Sequence, residues 1–155
     1  MSTCRQCFSN ILLMAEHNRA QREVLVIFSA VMVTGGNGPA GSKSVELLSS
    51  NGTWLCFLPN LPDYRNHHTQ TGLITCGGGV VYRGKSERTS CVTFSAGRWK
   101  KTHTLGQKRW AHTAWASPQG VLLMGGHNIG TSTTTELLTD NGDTTPSFNL
   151  GNSRV

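Results

Sequence analysis

Charge is what this sequence has least of. Charged side chains make up 14% of its 155 residues, with 8 acidic against 14 lysines and arginines. The moderate apolar content argues against wholesale disorder, and the abundance of Gly, Ser and Thr suits many short strands joined by turns. The formal charge of +6 is not gathered into a stripe. Basic residues stand singly or in pairs such as Lys100-Lys101 and Lys108-Arg109, without the interleaved aromatics of a nucleic-acid surface. The expected surface is basic and solvated, and nucleic acid is not an expected partner.

Long hydrophobic runs are missing as well. The most apolar stretch, residues 24–33, is ten residues long and too short to span a bilayer. Metal-type cysteine spacing is absent: there are 5 cysteines, and Cys4-x-x-Cys7 stands alone without a second pair. The acidic residues form no recognisable acid/base pair, and no nucleophile elbow occurs. Gly77-Gly78-Gly79 closes an apolar run and opens no helix, so it lacks the context of a phosphate loop. No catalytic residue, metal or cofactor is expected from these patterns.

What the sequence does contain is a recurring order of pieces. Three apolar runs end in Gly-Gly: Thr34-Gly35-Gly36, Cys76-Gly77-Gly78 and Met124-Gly125-Gly126. The first glycines lie 42 and 48 residues apart, Trp54 and Trp99 lie 45 apart, and His68-Thr69 and His112-Thr113 lie 44 apart. Ser44-Val45-Glu46-Leu47-Leu48, Ser90-Cys91-Val92-Thr93-Phe94 and Thr134-Thr135-Glu136-Leu137-Leu138 read as matching strands. Each is followed by a hairpin turn, Asn51-Gly52, Ala96-Gly97 or Asn141-Gly142, whose chemistry favours positive φ. Pro59 and Pro62 end the first returning strand. In the third unit the match loosens: Thr144 stands where a tryptophan is expected, and Phe148 is expected to take over its packing role. Units of 40 to 50 residues with four short strands each point to a propeller.

The chain divides into residues 1–23, a poorly ordered segment or short helix over 8–23, then 24–150 with units at about 24–62, 63–107 and 108–150, then a tail at 151–155. Residues 24–33 admit two readings, the apolar part of a secretory signal preceded by Arg19 and Arg22, or the buried strands of the first unit.

The order Arg-x-x-His, apolar strand, Gly-Gly, loop, Val-Glu strand, turn, Trp and a proline-rich exit resembles the kelch repeat of β-propellers and the central domain of galactose oxidase. The resemblance covers about residues 31–150. It implies an all-β kelch-type propeller fragment of about three four-stranded antiparallel blades. Gly35, Gly36, Gly77, Gly78, Gly125 and Gly126 then mark strand exits, Trp54 and Trp99 lie between blades, and His68 and His112 are structural. Glu46 and Glu136 are equivalents that bond to turn backbone or neighbouring blades. The departure is length: such propellers close with more blades, so missing blades or self-association are expected to cover the open edges.

Cys76 and Cys91 fall at facing strand ends of one blade, where a disulfide is expected. Asn51-Gly52-Thr53 is a glycosylation sequon on an expected hairpin tip. Together with the signal reading, these favour an extracellular or secreted protein over a cytoplasmic one. The expected function is a non-catalytic module binding a protein or glycan, with Arg83, Lys85, Arg88 and His127 in the loops after the diglycines as contacts. The alternatives are a fragment of a galactose-oxidase-like enzyme, against which only Tyr64 and Tyr82 are present and neither has a matching motif, and an intracellular kelch adaptor.

Overall fold

The computed structural model describes residues 30–36, 43–49, 53–79, 89–127 and 131–151. The expected N-terminal helix, Cys4, Cys7, Asn51, Arg83, Lys85 and Arg88 lie outside the described residues, as does most of the run at 24–33.

The described chain is all-β and forms three antiparallel sheets. The first comprises β1 (Ala30–Thr34), β2 (Val45–Ser49) and β3 (Trp54–Phe57), in that order. The second comprises β4 (Thr69–Thr71), β5 (Ile74–Cys76), β6 (Ser90–Ser95) and β7 (Arg98–Thr104). The third comprises β8 (Thr113–Ser117), β9 (Gly120–Met124), β10 (Thr134–Leu138) and β11 (Thr144–Asn149). Strands that follow one another in sequence are neighbours in space, so each sheet is an up-and-down meander. By their place before a diglycine, β1, β5 and β9 correspond. The counterpart of β4 and β8 in the first sheet would fall in residues outside the described set.

The turns explain how so short a chain closes these meanders. Ala96 and Gly97 both have positive φ, 50° and 74°, which matches the twist of the flanking strands. Gly120, at φ 135°, sits with a virtual Cβ only 2.0 Å from the Leu138 carbonyl oxygen, so no side chain fits where β9 starts beside β10. The return strand β7 runs on to Thr104, because its register with β6 continues to Ser90↔Thr104.

The apolar residues gather between successive sheets. Val45, Leu47, Leu58 and Leu61 from the first sheet and its exit meet Val92 and Phe94 of the second, with Met32 and Trp99 packed against them. Cys76 and Cys91 of the second sheet meet Leu105, Leu123 and Leu138, joined by Ile74, Ala114 and Val121. Strand alternation produces this: each sheet turns one set of residues to the sheet before it and the other set to the sheet after it. Trp99 packs tilted against Phe94, with ring centroids 5.2 Å apart, and donates its indole N–H to the Pro59 carbonyl, 2.8 Å away, tying the second sheet to the exit of the first.

Phe148 does not take over the tryptophan's role. It is 51% exposed, on an edge strand that also carries Pro146. A register shift between Thr134 and Glu136 sets the strand, and the Thr135 hydroxyl bonds both the N–H and the carbonyl of Phe148. The backbone is held while the ring is left in solvent.

Cys76 and Cys91 oppose each other in the β5–β6 register and form a disulfide with Cα atoms 4.1 Å apart. The bond closes a loop with a sequence separation of 15. A loop of that size is worth about 3 kcal/mol on chain-entropy grounds. Denaturant melts of the natural chain against a Cys76→Ala/Cys91→Ala double variant should show a loss of that order. A change below about 1 kcal/mol would mean that the closed loop is already constrained in the unfolded chain.

Candidate functional site

The end of the sheets where the diglycines lie is built on two arginines. Arg65 and Arg109 each precede a β-strand by four residues, and both are fully buried at 0% exposure. A buried guanidinium needs acceptors for its fork of N–H groups, and each finds them on its own sheet. Arg65 donates through Nη1 to the carbonyls of Gly77 and Ser90, and through Nη2 to the Ser90 hydroxyl, all at 2.7 Å. Arg109 donates through Nη1 to the carbonyls of Gly125 and Thr134, and through Nη2 to the Thr134 hydroxyl. The two sets match position for position. Arg109 adds Glu136, whose Oε1 accepts from Nη2 at 2.6 Å and from Nε at 3.1 Å. Glu136 Oε2 accepts the Gly106 N–H. Val92 holds the register position in the second sheet that Glu136 holds in the third, and Arg65 has Asp63 at 3.8 Å instead.

The chain then bends sharply. His67 and Ala111, two residues after each arginine, have φ 49° and 50°, a left-handed conformation costing about 1 kcal/mol in a non-glycine residue. The bend carries His68 and His112 across to the preceding elements. His68 Nε2 is 2.9 Å from the Thr34 hydroxyl, and His112 Nε2 is 2.6 Å from the Thr69 hydroxyl. Burial, with the charge of Arg65 beside it, lowers the His68 pKa to about 4. Burial and Arg109 lower that of His112 to about 3. Both rings are therefore neutral at physiological pH.

The diglycines receive these bends. A Cβ on Gly35 would lie 2.4 Å from the Arg65 carbonyl oxygen and 2.7 Å from the His68 ring. One on Gly77 would lie 2.5 Å from the Arg109 carbonyl oxygen and 2.7 Å from the His112 ring. The next N–H along completes each contact: Gly36 donates to Arg65 O at 3.0 Å and Gly78 to Arg109 O at 2.9 Å. The first glycine of each pair thus makes room for the following unit, and the second bonds to it. Gly77→Ala is expected to lower the thermal midpoint by several degrees, through a clash with backbone together with its φ of 62°. Alanine at the open Gly72 (φ 56°) carries only the backbone strain and should cost less.

What this frame presents to solvent is aromatic. Trp110 follows Arg109 and bridges to His127 through paired backbone bonds, with its ring stacked on the His127 imidazole at 4.7 Å. His67 meets the same indole edge-on at 5.5 Å. His67 is exposed, while Trp110 and His127 are half-buried. Of the residues nominated as loop contacts, His127 is held by the bridge to Trp110 and a second bridge to Thr131.

The sequence marks Gly35, Gly36, Gly77 and Gly78 as strand exits and His68, His112 and Trp99 as structural, while Arg65 and Arg109 enter only as the first letter of the Arg-x-x-His pattern, with no role of their own. A signal was present: both sit three residues before the matching histidine. Trp54 lies in β3. Also missed was a groove of about 450 Å³ between the second and third sheets at the opposite, hairpin end, lined in part by Thr71, Thr93, His103, Thr139 and Asn141. Among the described residues, no three His, Cys, Asp or Glu side chains come together as a metal ion would need. No described helix is long and apolar enough to cross a membrane. No protein-family model and no curated protein matches the chain.

Proposed function

We propose that this chain is a kelch-type β-propeller module, its three sheets being successive blades, that binds a protein or glycan without catalysis. The observation that carries the reading is the stack of His67, Trp110 and His127 at the diglycine end. An indole stacked on one imidazole and met edge-on by another offers an apolar surface edged by polar N–H groups, the chemistry that sugar rings and peptide side chains use. Buried arginines and histidines hold its base, so its recognition geometry is set before any partner arrives. The net charge of +6 favours an acidic partner. The paired cysteines support an extracellular setting, where such bonds persist.

The test is a binding screen of the folded chain on an array of sugars and acidic peptides, followed by titration of the strongest hit. His127→Ala and His67→Ala should weaken that interaction about tenfold or more while leaving the thermal midpoint within a few degrees. Binding unchanged in both variants would sink the assignment of this face.

A further inference from the structure

We propose that the groove between the second and third sheets, at the hairpin end, binds one neutral sugar ring. The groove exists because a side-chain ring is missing from it. Between the first and second sheets the corresponding space is filled: Phe94 pairs with Trp99, whose indole packs against it and donates to the Pro59 carbonyl. In the third sheet the matching pair is Leu138 and Thr144, joined in the same register. The facing wall repeats too. Leu61 and Leu105 hold equivalent places, their N–H groups bonded to the carbonyls of Lys43 and Thr89, one residue before Ser44 and Ser90. Two residues ahead of each leucine stand Pro59 and His103. Tryptophan in place of Thr144 would reach toward His103 as Trp99 reaches Pro59. Threonine is too short for that, and a space of about 450 Å³ stays open beside His103 and Leu138.

The second sheet lines this space with a row of short side chains. Thr71 pairs with Ile74, Ile74 pairs with Thr93, and the Thr93 hydroxyl lies 2.9 Å from that of Thr102. Cross-strand partners share a face, and Ile74 packs toward the third sheet, so the row faces that sheet. Across from it, Val121 pairs with Leu138, and both join Ile74 in an apolar floor. The turn after β10 brings Thr139, Asp140 and Asn141 to the rim. The two walls are tied together. His103 Nε2 donates to the Thr139 carbonyl at 2.8 Å, and a Cβ on Gly142 would lie 3.5 Å from the Thr102 carbonyl oxygen. The groove is therefore formed before a ligand arrives, which spares the cost of ordering it.

Its size is at the small end of ligand sites, which run to about 300–1,000 Å³, and suits a single ring. A sugar ring presents C–H faces and a rim of hydroxyls. The floor meets the first, and the side chains of Thr71, Thr93, Thr102 and Asn141 can donate to or accept from the second. Among the described lining residues there is no lysine or arginine, while Asp140 is acidic, so an anionic ligand is disfavoured. That sets the groove apart from the diglycine end and its acidic partner, and either site can fail alone.

The test titrates the whole chain with glucose, galactose, mannose and N-acetylglucosamine, and separately with sialic acid and indole, read by saturation-transfer NMR. At least one neutral sugar is expected to bind with a Kd of about 1 mM. No binding by any of the four, or a preference for sialic acid or indole over all of them, would overturn the proposal. Thr144→Trp supplies the ring that Trp99 supplies in the preceding gap. It should keep the circular dichroism of the natural chain and weaken sugar binding about tenfold or more, and undiminished binding would overturn the proposal. Should that variant fail to fold, Thr71→Val and Asn141→Ala decide. Each removes one polar group from the rim and should weaken binding about fivefold, and unchanged affinity in both would overturn the proposal. Sugar binding lost in His127→Ala but kept in the groove variants would place the sugar at the diglycine end and exclude the groove.

Discussion

Arg109→Ala should destabilise this protein by about 3–5 kcal/mol, the cost of stranding a buried charge whose partner has been removed. Glu136 is 4% exposed, and both of its contacts with the guanidinium would vanish, leaving only the Gly106 N–H on its carboxylate. The carbonyls of Gly125 and Thr134 would lose their shared donor in the same step. Small domains have only about 5–15 kcal/mol of stability in all, so this single change is a large fraction of the total. Chemical denaturation should show the midpoint falling steeply. Removing the carboxylate as well, in Arg109→Ala/Glu136→Gln, should restore part of the loss, because the uncompensated charge goes with it. Arg65→Ala should cost less, since its carboxylate neighbour Asp63 lies 3.8 Å away and is 38% exposed, whereas Glu136 is buried at 2.6 Å from Arg109. Equal costs for the two arginines would show that the ion pair with Glu136 is not what sets the penalty.

Acid should unfold this protein well above the pH at which carboxylates titrate. His68 and His112 are held neutral in the fold, with pKa values lowered from 6.5 to about 4 and about 3. The unfolded chain takes up protons at these sites below pH 6.5, while the folded chain resists. Stability is therefore full above the unfolded value and falls with pH until the folded values have been passed. Each histidine contributes a slope of about 1.4 kcal/mol per pH unit within that window. At pH 5 the two together remove about 4 kcal/mol, comparable with the whole stability of many small domains. Thermal melts from pH 7.5 to pH 4.5 should show this decline, and His112→Asn should flatten it by about half. A midpoint that stays level from pH 7 to pH 5 would mean that the imidazoles are more open to solvent than their hydroxyl contacts with Thr34 and Thr69 imply.

The all-β antiparallel architecture was legible because its signals are local. Strand alternation, the turn chemistry of Ala96-Gly97 and Asn141-Gly142, and proline at a strand's edge each depend on a few adjacent residues. The end of β7 was not legible, because its length depends on how far β6 runs beside it. Phe148 was misjudged for a similar reason. Being aromatic made it a fair substitute for tryptophan by composition, yet the register shift at Thr134/Glu136 decides which way it faces. The site divides the same way. The glycine pairs and histidines stood out by spacing, while the ring contacts of Trp110 with His127 and His67 form between side chains 17 and 43 positions apart in the chain.

By itself the sequence determined the alternation of short strands and turns, and which glycine pairs close the apolar runs. Those properties follow from φ preferences and from the two-residue period of a strand, which act over short distances along the chain. Only the tertiary structure decided that Arg109 is an ion-paired anchor rather than a surface charge, since Glu136 lies 27 residues away and meets it through the fold. It also decided which glycine of each pair makes room and which bonds, because the atoms that crowd Gly35 and Gly77 belong to the following unit. Burial supplies the physical reason in both cases. A charge or a backbone donor placed out of water must find a partner, and only the packed sheets determine which partner is in reach.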